Sequence, residues 1–288
     1  MAIIWGIPYL LIRVAVRQLD PGVLVLGRTA PAAVLLMPLV VVRGYLRTIV
    51  RHLGWIAVFA FVEFGVPWYL MATAEQHITS SLTSLLICAV PLFSVVAQRL
   101  RRTEEHITRR RLWGLGVGAV GVALLVGLGI RGGAIQWIGL MFIIAVGYTV
   151  GPIVLATKLP HVPGIAVVAG ATSLVALAWV PWSLAHWPRH VDHETFASIA
   201  VLSLVCTAGA FLVFFELVKE VGSTRSVVVT YVNTAIAVVL GIIFLREPLT
   251  LGIAVGFPLV LVGSVIATGR TASSREELAS DADEILHG

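Results

Sequence analysis

Charge is what this sequence has least of. Only 12% of its 288 residues are Asp, Glu, Lys or Arg, against 58% that are hydrophobic. A soluble domain carries about 25% charged residues, roughly twice as many. The apolar residues come in long runs rather than in amphipathic stripes, so too little polar surface is left to cover a water-facing exterior. A bilayer solvent explains both features. Cysteine is nearly absent. Cys88 and Cys206 each sit inside an apolar run with no Cys or His at ligand spacing, which argues against a disulfide framework and against a metal site. There is no Walker sequence, so nothing calls for a nucleotide or any other cofactor. Met1 is followed directly by AIIWGIPYLLI, without a basic n-region or a small-residue cleavage site, so a secretory leader is not expected. The first helix begins at the first residue, which leaves open a native start upstream.

What is there is a series of spans. A membrane-crossing helix needs about 20 mostly apolar residues. Candidates lie at 1–17, 23–43, 53–74, 80–98, 112–130, 135–156, 164–185, 195–218, 225–244 and 249–268. The expected fold is therefore an all-α integral membrane protein of about ten transmembrane helices. Residues 270–288 form a short soluble tail. Ten spans put both termini on one side, and the basic residues choose which. With the N-terminus inside, fourteen Lys and Arg fall in cytoplasmic segments and four (Arg17, Arg131, Arg189, Arg246) on the opposite side. The positive-inside rule then places both termini, tail included, in the cytoplasm of a cell-membrane protein.

The chain also repeats itself. A shift of 142 residues superposes Ser81 on Ser223, Glu105 on Glu247, Thr108 on Thr250, Gly114 on Gly256 and Gly121 on Gly263. Coincidence of common apolar residues does not readily produce matches at Glu and Thr. Each half, 1–130 and 135–269, holds five spans, so the second enters the membrane in the opposite sense. Secondary transporters often use such inverted repeats, with the substrate site near the midplane between them.

The repeated blocks, SSLTSLLICAVPLFSVVAQRLRRTEEHIT and GSTRSVVVTYVNTAIAVVLGIIFLREPLT, each followed by a Gly-punctuated helix, resemble the EamA-type half of the drug/metabolite transporter superfamily. Trp5-Gly6 on the first helix, and Pro21 followed by Arg28 on the second, are similar too. The resemblance runs to about residue 269 and implies a carrier of a small polar or amphiphilic solute: an amino acid, another metabolite, a nucleotide sugar or a drug. The sequence departs from the family pattern at Asn233, where the equivalent position in the first half is Pro91, and in an unusually basic first-half loop.

Glu63 is the main candidate for the chemistry. It lies ten residues into the third span, about 15 Å deep, close to the bilayer centre. An ionisable residue at that depth signals a pathway or a relay by default. Pro67, four residues on, removes the amide that would bond the carbonyl of Glu63. The site offers a carboxyl beside a free carbonyl to a proton, a cation or a substrate ammonium; the alternative is a structural Glu held between helices. Arg28 has three readings: bridging to Glu63, snorkelling to the headgroups, or binding a substrate carboxylate. Pro8, Pro91 and Pro152 open further carbonyls, which makes Trp5, Tyr69, Tyr148, Tyr231 and Asn233 candidate cavity linings. Interfacial or packing roles are the competing reading for each.

Other signals are set aside. Gly116, Gly118 and Gly121 spell GxGxxG without the strand that a dinucleotide site requires, so close helix packing is expected instead. His186, His190 and His193 with Asp192 and Glu194 read as a solvated loop rather than a metal site. The RRTEEHITRRR loop follows topology and implies no nucleic-acid partner. Glu105 and Glu247 are expected to cap helix starts. The expected function is secondary transport of a small metabolite, proton-coupled through Glu63, by alternating access and more in the sense of export. The partners are the solute and the lipid bilayer, with a homodimer left open. A membrane-embedded enzyme would need clustered Asp, His or Asn near one interface, which the spans do not offer. A non-transporting scaffold is the remaining alternative.

Overall fold

The computed structural model describes residues 1–100, 109–129, 135–214 and 228–268. Every described element is helical: α1 (Ala2–Ala15), α2 (Pro21–Val42), α3 (Leu46–Arg51), α4 (Leu53–Glu75), α5 (Ser80–Ile87), α6 (Val90–Leu100), α7 (Arg109–Gly129), α8 (Ile135–Lys158), α9 (Gly164–Ala185), α10 (His193–Phe214), α11 (Val228–Leu245) and α12 (Leu251–Thr268). Five of them, α2, α4, α8, α9 and α10, are long and apolar enough to cross a membrane, and five shorter apolar helices accompany them. The exterior is apolar, with Val34, Val42, Trp113, Ile135 and Leu184 all exposed. The interior holds buried polar residues such as Thr29, Thr172, Ser203 and Thr207. The buried hydroxyls of Thr29, Thr172 and Thr207 return their protons to main-chain carbonyls of their own helices, as when Thr172 Oγ1 donates to the Val168 carbonyl at 2.8 Å. That is how a helix hides polar atoms where no water is available.

Proline breaks the fourth span, although α2, α8, α9 and α12 carry prolines without interruption. The fourth span is two helices rather than the single one expected over 80–98, because Pro91 has no amide to give and its ring crowds the carbonyl one turn earlier. At the equivalent point of the second half Asn233 replaces proline, and α11 runs through unbroken.

Two helices, α7 and α12, lie backbone against backbone. A side chain at Gly114 would strike the Gly263 carbonyl at 2.8 Å, and one at Gly121 the Gly256 carbonyl at 2.9 Å. The reverse clashes also hold: Gly263 against the Gly114 carbonyl at 2.7 Å, and Gly256 against that of Gly121 at 2.8 Å. Since Gly114 corresponds to Gly256 and Gly121 to Gly263, each contact maps onto the other when the halves are exchanged. Such reciprocity is what a two-fold relation between the halves produces. Gly118 joins this seam against Gly263, whereas Gly116 faces open space. Gly118 and Gly121 of the GxGxxG string therefore serve packing, as expected, and Gly116 does not.

The end of the bundle opposite Met1 is tied across the halves. Trp182 Nε1 donates to Asp20 Oδ1 at 2.8 Å, and the Asp192 amide donates to Gln18 Oε1 at 3.1 Å. Asp192 also caps α10 by accepting from the Thr195 amide at 2.8 Å. That bond holds its carboxyl below the usual range. Glu247 makes the most elaborate of these ties. It does not cap the helix that follows it, as its position suggests. Arg246 takes a left-handed φ of 55°, and the turn delivers Glu247 to the N-terminus of α5 in the other half. Its carboxylate accepts from the Ser80 amide (2.8 Å) and Oγ (2.9 Å) and from the Ser81 amide (3.0 Å) and Oγ (2.5 Å). Gly241 keeps that space free of a side chain. Charged hydrogen bonds contribute about 1.5–3 kcal/mol. Glu247→Gln, which replaces two acceptor sites with donors facing donors, is expected to destabilise the fold by at least about 2 kcal/mol, read as a lowered melting temperature in detergent. Glu105, its counterpart, and the tail 270–288 lie outside the described residues.

Candidate functional site

Two of the long helices are not α-helical throughout. α4 widens into a π-helical turn over Ala60–Gly65, and α10 does the same over Val201–Gly209. The two segments correspond under the 142-residue shift. A π-turn is a rare insertion that is frequently found at functional sites. In α4 it precedes Pro67, so the missing proline amide falls where the hydrogen-bonding register is already changing. Hydropathy counts residues and cannot see a change of register, so the sequence alone predicts an ordinary helix here.

Glu63 stands inside the first π-turn, facing α8. Its Oε2 is buried without a hydrogen-bond partner. Gly151 makes room for it, since a side chain there would overlap the carboxyl. Gly147, one turn earlier, lets the Val62 carbonyl approach α8. Gly147 and Gly151 form a GxxxG pair, the small-residue signal of close helix approach, and the sequence reading passed over it. Tyr148, between them, packs against both hydrophobic cores of the bundle, and its phenol has Glu63 and Arg28 as electrostatic neighbours.

Arg28 is buried on α2, and its surroundings differ from two of the three expectations. It makes no ion pair with Glu63, and it does not snorkel out of the bundle. Its Nε donates to Thr207 Oγ1 at 3.0 Å, and its guanidinium lies 3.5 Å from the centre of the Trp68 ring. Thr207 in turn donates to the Leu202 carbonyl at 2.8 Å, five residues back, within the second π-turn. Arg28 therefore bridges the two distorted helices: Trp68 follows one π-turn and Thr207 belongs to the other. Such a cation–π contact contributes about 2 kcal/mol when desolvated. It fixes the plane of the guanidinium and leaves the Nη edge without a hydrogen-bond partner among the described residues.

Aromatic rings complete the surroundings. Phe64 stacks on Trp68 with centroids 4.7 Å apart and meets Phe211 at 5.5 Å. Trp5 lies edge-on to Phe211 at 5.9 Å and tilted against Phe214 at 4.9 Å. Asn233 is buried on α11 beside α1, where Gly6 packs on its carbonyl. Tyr69 stands apart, stacked on Trp179 of α9 at 4.7 Å. The side chain of Tyr231 lies outside the described residues. Of the sequence candidates, then, Glu63, Arg28, Tyr148 and Trp5 gather around the two π-turns. Trp68, Thr207, Tyr9 and Glu75 were missed: Trp and Thr are common packing residues, and Glu75 ends its span, where a carboxylate reads as surface. An apolar groove of about 530 Å³ lies elsewhere, among α6, α7 and α8, lined by Leu92, Phe93, Leu115, Val122 and Phe142. None of the polar groups around Arg28 lines it.

Known proteins can now be set beside this geometry. The EamA-like transporter family matches the chain twice, over residues 1–127 and 133–269. The uncharacterized inner membrane transporter YedA of Escherichia coli K12 is 26% identical over 83% of this chain and 78% of its own length. The uncharacterized transporter YvbV of Bacillus subtilis is 24% identical over 97% and 92%. A solved crystal structure aligns over 93% of this chain and 94% of its own at 15% identity, with a TM-score of 0.67, and so shares the fold. The two matches cover nearly the whole helical bundle, and the chain belongs to the EamA-like transporter family.

Proposed function

We propose that this membrane transporter carries a small metabolite bearing separate negative and positive groups, such as an amino acid or a drug-like zwitterion, coupled to protons and working by alternating access. The observation that carries the reading is a buried guanidinium and a carboxyl with a buried oxygen that form no ion pair with each other. Arg28 is held by Thr207 and Trp68, and Glu63 is sheltered against Gly151. A buried charge kept apart from its natural partner is costly, and here each is free to meet a solute: the guanidinium edge a carboxylate, the Glu63 carboxyl an ammonium or a proton. Phe64, Trp68, Phe211 and Trp5 offer rings to the solute's apolar part. Membrane helices that contain π-turns also have register to gain or lose, which suits α4 and α10 to the moving elements of alternating access. The basic loops favour cytoplasmic termini in a cell membrane, and export is the direction this reading prefers.

Binding is tested first by a thermal-stability screen of zwitterionic, anionic and cationic metabolites on the purified protein. A ligand at a hundred times its Kd contributes about 2.7 kcal/mol of stabilisation. A zwitterion is expected to raise the melting temperature in the wild type and to lose that effect in Arg28→Gln. Stabilisation by cations alone, unchanged in Arg28→Gln, would remove the guanidinium from the site.

A further inference from the structure

The reading above uses one carboxyl of α4, and the helix has a second. Glu75, its last residue, is 0% exposed, and neither carboxylate oxygen has a hydrogen-bond partner. This is not a side chain at the water surface, although the sequence places it at the end of a span. The loop beyond it folds back: His77 stacks on Trp137 at 3.8 Å. Arg13 of α1 approaches Glu75 but spends its hydrogen bond on the main-chain carbonyl, not on the carboxylate. Glu247, the other acidic neighbour, is engaged by Ser80 and Ser81. A fully buried carboxyl with no hydrogen-bond partner among the described residues, beside a guanidinium that could have paired with it, calls for an explanation.

Within electrostatic range of Glu75 lie Tyr9 and Arg13 on α1, Arg28 on α2 and, from the turn before α12, Glu247. Tyr9 is itself buried and lies in electrostatic range of Tyr148 of α8, as Tyr148 does of Glu63. Glu75, Tyr9, Tyr148 and Glu63 thus form a succession of protonatable groups, the first two buried and the last two half-buried, with Arg28 in electrostatic range of Glu75, Tyr9 and Tyr148. Twelve residues separate the two carboxyls on one helix, about 18 Å along its axis, too far for direct transfer.

We propose that Glu75 is a second proton-binding station, through which Glu63 exchanges protons with the membrane face opposite Met1 by way of Tyr9 and Tyr148. The proposal rests on the reading of Glu63 as the coupling carboxyl. A proton taken up by the Glu75 carboxylate passes to the phenol oxygen of Tyr9, which releases its own proton onward. Tyr148 does the same, and water entering between the groups completes the hops. Only the two carboxyls change charge. In the present arrangement hydrogen bonds between Asp20 and Trp182 and between Gln18 and Asp192 link helices at that face, and we take their release as the event that hydrates Glu75.

The test is infrared difference spectroscopy of the full chain in lipid nanodiscs after a pH jump, with the proton itself as probe. The wild type is expected to show two protonated-carboxyl bands. Glu75→Gln removes one and leaves the other, which Glu63→Gln removes, titrating at the same midpoint but filling at least tenfold more slowly. Tyr9→Phe keeps both bands and reproduces the slow filling, so the outcome does not depend on how well the Glu75 variant folds. Glu75→Gln removing no band overturns the proposal. So does filling of the Glu63 band at the wild-type rate in both Glu75→Gln and Tyr9→Phe. Failure of Glu63→Gln to remove a band sinks the coupling role of Glu63 and with it the link, while the band of Glu75 still decides whether that residue binds a proton.

Discussion

Glu63→Gln is expected to reduce uptake driven by a pH gradient in proteoliposomes to the level of empty vesicles while the protein stays folded. Glutamine keeps the shape of the side chain against Gly151 but cannot release a proton, so only coupling is lost. Stability is expected to stay within about 1 kcal/mol of the wild type, because no ion pair or hydrogen bond is broken at Oε2. Exchange of solute for solute, which needs no net proton movement, is expected to persist. Gly151→Ala provides an independent check. Its added methyl group would occupy the position of the Glu63 carboxyl, so coupling should fall although the carboxyl itself is retained. A Glu63→Gln protein whose uptake still follows the pH gradient would remove Glu63 from the coupling mechanism.

The second large effect belongs to the seam between the halves. Gly263→Leu is expected to prevent α7 and α12 from closing, because the space above Gly263 is filled by the backbone of Gly114 and Gly118 and not by side chains that can move aside. Overpacking in an ordinary core costs about 1–3 kcal/mol; rigid backbone leaves less room for adjustment, so the loss is expected at or beyond the upper end. Association of membrane helices depends on such close packing. Size-exclusion chromatography in detergent reads the outcome as aggregation or a lost monodisperse peak. Gly116→Leu on the same helix faces open space and serves as the control that should behave as wild type.

How much of this the sequence revealed depends on which signal was needed. The spans were legible because length and hydropathy are local, and α2, α8 and α9 fall within a few residues of the expected bounds. The glycine seam was legible because the duplication marked the same positions twice. Glu63 stood out because a carboxylate inside an apolar run has few structural explanations. The π-turns were not legible, since one extra residue in a turn leaves composition unchanged. With them went Thr207 and Trp68, whose importance comes from what they hold and not from their type. Glu247 was correctly taken as a cap, but on the wrong helix: a sequence shows which amides are near in the chain, and its four donors lie more than 160 residues away. The break at Cys88–Ala89 was signalled by Pro91 but attributed only to an opened carbonyl.

The most direct measurement of the central claim is solute-induced proton movement in proteoliposomes. The internal pH is followed with a trapped dye while the zwitterion selected by the stability screen is added to one side. The account predicts a pH change that requires both the solute and the protein, that vanishes in Glu63→Gln, and that loses its solute dependence in Arg28→Gln. Solute flux without any accompanying proton movement, unchanged in both variants, would contradict it.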